Sequence, residues 1–139
     1  MNGGNTPSSV VVGDVNEDQK DDLLLINTGD STMSVFLGDG AASFAAAKNF
    51  GAGSVPYMVM LSDLNGDRHL DAVIASSGDS TVRVLLGDGK GNFGMAASVP
   101  TGADPRSVAV ADFNGDKKPD IATSNYVGDN VSVIINQSK

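Results

Sequence analysis

Apolar residues along this chain fall in short runs separated by polar, glycine-rich turns. VVVGDV (10–15), YMVMLSDL (57–64) and SVAVADF (107–113) each lead into an acidic stretch. LLLIN, AVIAS and IATSN follow those stretches. MSVFL, VRVLL and VSVII come next, after a Gly-Asp or Asp-Asn turn. Runs of this length between Gly, Asp and Asn turns predict antiparallel strands joined as meanders. SFAAAKNF (43–50) and NFGMAASV (92–99) predict a fourth, weaker strand, with the alanine run 45–47 inside it. No window carries a helical period of useful length. Several strands are apolar at consecutive positions, which predicts cover on both sheet faces.

The pattern recurs. DVNEDQKDD (14–22), DLNGDRHLD (63–71) and DFNGDKKPD (112–120) start 49 residues apart. Gly4, Gly53 and Gly102 keep that step, as do Pro7, Pro56 and Pro105, Val10, Val59 and Val108, and Val35, Val84 and Val133. Phe44 aligns with Phe93. Small four-stranded sheets, covered on both sides and repeated at this spacing, predict β-propeller blades. The expected fold is all-β: one partial-propeller domain over 1–139, with blades at about 1–49, 50–98 and 99–139. The third blade is expected to lack its outer strand. A single antiparallel sandwich is the other architecture, but it would not need repeats of equal length.

Composition narrows the function classes. The formal net charge of −8 argues against a nucleic-acid partner, which needs a basic face, and against an anionic membrane surface. No apolar run is long enough for a transmembrane helix, so no membrane insertion is expected. With no cysteine, disulfides, thiolate metal sites and a thiol nucleophile are excluded. MNGGNTPSS has neither a basic nor an apolar segment and does not read as a signal peptide. The chain is then cytosolic, or a mature or excised piece of something exported. A lone histidine, His69, gives the many serines no evident triad, so no enzyme is expected. Asp39 and Asp88 sit in LGDG hairpin turns, and Asn130 and Asn136 open glycosylation triplets.

The acidic stretches carry the chemistry. Each has the pattern D-x-N-x-D-x-x-x-D, which sets three carboxylates and one amide oxygen in one loop. Calcium takes six to eight oxygens from such mixed donors, and a backbone carbonyl at place seven would add one more. The first five places are similar to an EF-hand loop, with strands instead of helices around it. Asp, Asn and Gly are also ordinary turn residues. A turn alone, however, needs no aspartate at place nine in all three copies. Loop one carries Glu17 where the others carry Gly66 and Gly115, so a positive φ there would be strained.

The acidic loops, the GxxP before each first strand and LLGDGKGNF resemble FG-GAP/VCBS repeats, the blades of integrin α-subunit propellers and of many bacterial secreted proteins. The resemblance covers essentially the whole chain. It implies that a calcium loop joins the first two strands of each blade. Carried onto these positions, the ligands are Asp14, Asn16, Asp18, the Lys20 carbonyl and Asp22. Their equivalents are Asp63, Asn65, Asp67, the His69 carbonyl and Asp71, then Asp112, Asn114, Asp116, the Lys118 carbonyl and Asp120. About three Ca²⁺ per chain are expected. The departure is repeat number, since the family's propellers usually carry about seven blades.

A propeller closes with about four to eight blades. Two copies of this chain would give six, so a homodimer forming a six-bladed ring is expected. The leading functional reading is a calcium-binding structural or binding scaffold with a protein or glycan ligand. Its setting is extracellular or secreted, and the resemblance suggests cell-adhesion roles. The alternatives are a lectin-type propeller using Tyr57 and Tyr126, or an excised or engineered fragment without its own activity.

Overall fold

The computed structural model describes residues 3–138; Met1, Asn2 and Lys139, at the edges of the predicted domain, lie outside them. The fold is all-β. Eleven strands form three antiparallel sheets, and the described residues contain no α-helix. Blade 1 is β1 (Pro7–Gly13), β2 (Asp22–Asn27), β3 (Thr32–Phe36) and β4 (Lys48–Gly51). Blade 2 is β5 (Pro56–Ser62), β6 (Asp71–Ser76), β7 (Thr81–Gly87) and β8 (Phe93–Pro100). Blade 3 is β9 (Pro105–Ala111), β10 (Asp120–Asn125) and β11 (Asn130–Ile134). Every strand pairs with its sequence neighbour, as in a meander.

The first strand of each blade begins at a proline and ends just before the acidic loop. Proline has no N–H to give a ladder and is tolerated at the first residue of a strand. The register shifts next to each of these prolines. The first strands were expected to run on into the acidic stretch. They stop short because its opening aspartate turns its carboxylate onto loop amides, as described below.

The outer strand of blade 1 differs from expectation. The alanine run 45–47 is not strand, and β4 covers only the four residues from Lys48. Phe44 makes an isolated bridge to Gly38. Asp39 Oδ1 accepts the Ala41 and Ser43 N–H groups in a tight turn with Ala42 at φ 62°, and Asp88 builds the same turn in blade 2 from the Lys90 and Asn92 N–H groups. The matching place in blade 2 is Gly91, which takes a φ of 74° without a Cβ penalty. Blade 2 keeps a full eight-residue outer strand.

The blades stack face to face. β1 packs against β5, and β5 against β9, so the first strands line up side by side. Leu24, Ile26, Met33 and Val35 of blade 1 meet Val59, Ala72, Ile74 and Leu85 of blade 2 in one core. Val73, Ala75, Val82 and Val84 on the other side of blade 2 meet Val108 and Ile121 of blade 3 in a second. β6 therefore sits between two apolar layers, and all six of its residues are buried. Each Val, Leu, Ile or Met side chain among them contributes roughly 1.5–3 kcal/mol by leaving water.

Candidate cation loops

The three acidic stretches link the first and second strands of their blades and share one backbone course. Place four has positive φ at Glu17 (63°), Gly66 (80°) and Gly115 (82°). Place six does too, at Gln19 (66°), Arg68 (73°) and Lys117 (69°). The strain expected at Glu17 is thus present. Place six was not foreseen, because long polar side chains carry no signal for a left-handed backbone.

Aspartate at place one closes the loop from within. In loop two, Asp63 Oδ1 accepts the Gly66 N–H (2.7 Å) and Oδ2 the Arg68 N–H (2.8 Å). Asp14 accepts the N–H groups of Asp18 and Gln19, and Asp112 those of Gly115, Asp116 and Lys117. Place three joins in: the place-five N–H donates to Asn16, Asn65 or Asn114 Oδ1. The place-seven N–H of Lys20, His69 or Lys118 donates in turn to the place-five carboxylate. In loops one and three a single N–H is shared by the oxygens of places one and three, so those oxygens lie side by side. The His69 N–H and the Asn65 amide hold the Asp67 carboxyl below the usual carboxylate range. The Lys117 N–H does the same for Asp112.

Place nine is different. Asp22, Asp71 and Asp120 are fully buried at the base of their loops. Asp71 Oδ2 accepts the Leu64 N–H at 2.9 Å, and Oδ1 the Gly87 N–H at 3.0 Å. Asp22 does the same with Val15 and Gly38, and Asp120 with Phe113 and Asn136. One carboxylate thus ties the loop to the far end of the third strand. Burial pushes the Asp71 carboxyl up, and the like charges of Asp67 and Asp63 push it the same way.

The structure sets the oxygens of places one and three side by side in loops one and three, and buries place nine at the base of each loop. Among the described residues, no three Asp, Glu or His side chains stand close enough to form a ready cation cluster. The donor set still fits a hard cation. All the side-chain donors are oxygens, and a carboxylate oxygen that takes one N–H keeps a second acceptor direction. A buried carboxylate with two repelling neighbours is also a place where positive charge is favoured.

The His69 ring has a role apart from its backbone carbonyl. Its Nδ1 meets the Glu17 carboxylate of loop one, and that bond raises the imidazole pKa. Glu17, which departs from the glycine of its counterparts, was the available signal. At the opposite end of the blades, Arg106 lies 3.9 Å over the Tyr126 ring and 5.3 Å from the Tyr57 ring centroid. Asp104 pins the guanidinium at 2.8 Å. One face of each candidate sugar-stacking ring is therefore taken.

The family model described as FG-GAP-like repeat matches residues 14–74 and 63–123. Each match begins on the first aspartate of an acidic loop. No curated protein matches the chain.

Proposed function

Because the chain belongs to the FG-GAP-like repeat family, we propose that it is a calcium-binding β-propeller scaffold whose blades close into a ring with a second chain. FG-GAP repeats are typically structural or binding modules rather than enzymes. An extracellular or secreted setting goes with this reading, and so does a protein or glycan partner held on the assembled face.

The observation that carries the calcium reading is the buried aspartate at place nine, repeated three times at the base of a loop whose side-chain donors are all oxygens. Asp14, Asn16, Asp18, the Lys20 carbonyl and Asp22 would hold one ion, and the sets at 63–71 and 112–120 one each. A bound ion supplies positive charge that offsets the crowded carboxylates and couples metal binding to folding.

Calorimetric titration of the metal-free chain with calcium tests this, alongside melting with and without EDTA. The expected result is about three ions per chain and a higher melting temperature with calcium. Asp63→Asn with Asp67→Asn should remove about one ion. No binding heat together with an unchanged melting temperature would overturn the reading.

A further inference from the structure

Both ends of the three-blade stack present apolar faces. On blade 1, Val10 and Val12 are 60% and 53% exposed beside Leu23, Leu25 and Phe36, which line a cavity of about 200 Å³ with Val10. On blade 3, Val131, Val133 and Ile135 are exposed, and so is Phe113.

The 49-residue step identifies these faces. Val10, Val12, Leu23, Leu25 and Phe36 stand where blade 2 has Val59, Leu61, Ala72, Ile74 and Leu85, the side that packs on blade 1. Phe113, Val131, Val133 and Ile135 stand where blade 2 has Leu64, Val82, Val84 and Leu86, the side that packs on blade 3. Each bare face is thus one half of an interface that the molecule already makes twice.

Side-chain size matches as well. The blade 3 face is on balance the smaller: Ala109 and Ala122 stand where blade 2 has Met60 and Val73, against a single larger residue, Phe113 for Leu64. The blade 1 face is the bulkier, with Leu23 for Ala72 and Phe36 for Leu85. What one face lacks in volume the other supplies, as close packing requires.

We infer that the occupant of each face is a second copy of this chain, joined head to tail: blade 3 of one copy packs on blade 1 of the other. This rests on the ring reading above and adds its register. The contact is heterologous, so two copies close only if each spans half a turn. An acidic side chain at the centre of either face would block it.

Mixing two variants in calcium-containing buffer tests the register, with mass read by light scattering. Val10→Asp spoils only the blade 1 face, and Val133→Asp only the blade 3 face. Both sites are exposed in the single chain, so each variant should keep the wild-type circular dichroism spectrum. Val12→Lys and Val131→Lys serve as second variants. The wild type is expected at twice the 14.1 kDa chain mass, and each variant alone at the chain mass. An equimolar mixture of Val10→Asp with Val131→Lys should return to the dimer mass, because one contact keeps both intact faces and the other sets opposite charges against each other. A dimeric wild type with one variant still dimeric alone, or with no pairing in the mixture, overturns the head-to-tail register and leaves the ring reading standing. A wild type that stays at the chain mass, or grows without limit, overturns both.

Discussion

Blades 2 and 3 share a strand pattern but not an environment. Val82 is fully buried, and its counterpart Val131 is 66% exposed; Val84 and Val133 are 8% and 54% exposed. The residue type is the same in both pairs. A strand's alternation or apolar run therefore marks which faces are fit for burial, while the neighbouring blade decides which are buried.

The largest test of that contrast is a pair of charges. Val82→Asp places an unpaired carboxylate between two blades and should cost about 3–5 kcal/mol. Val131→Asp should stay within about 0.5 kcal/mol when chains are dilute enough to remain apart. Urea unfolding followed by circular dichroism reads both, and equal costs would break the comparison.

Place nine sharpens it. Asn offers one acceptor oxygen where Asp offers two, so Asp71→Asn leaves the Leu64 or Gly87 N–H unpaired at a cost of about 1–3 kcal/mol. Asp120→Asn should cost less, because both bonds that Asp120 accepts are part-buried, whereas the Leu64 bond to Asp71 is buried. Matching midpoint shifts in chemical denaturation would mean that burial does not grade the effect.

The smallest effect concerns Asp88, whose counterpart in blade 3 is Gln137. The Asn92 side-chain amide, with the Asn92 and Lys90 N–H groups, lowers the Asp88 carboxyl from 3.8 to about 2. A depressed carboxyl contributes stability above its ordinary range and loses it as pH falls through the lowered value. Melting temperature should thus fall less steeply between about pH 4 and 2 in Asp88→Asn than in the wild type. Parallel slopes would remove Asp88 from the acid response.

Most of the strand order was legible because apolar runs and a strict 49-residue step carry it. The acidic loops were legible as loops for the same reason. Three features were not. The alanine run 45–47 is not strand although the matching residues 94–96 of blade 2 are, behind the same aspartate turn; what differs at the turn is Ala42 at a positive φ where blade 2 has Gly91. Gln19, Arg68 and Lys117 adopt a left-handed backbone that nothing in their side chains advertises. Asp22, Asp71 and Asp120 read only as potential ligands, yet they also lock each loop to a strand end about sixteen residues on, a partner that spacing alone does not reveal.

The burial of β6 on both faces has a consequence for dynamics. In a stack whose units touch only their neighbours, the central unit opens last. In chains dilute enough to remain apart, backbone amides of Ala72–Ala75 should exchange with deuterium most slowly of all, with protection declining toward β1 and β11. A dissociated single chain would then loosen from its two ends inward, and fray least where three sheets lie face to face.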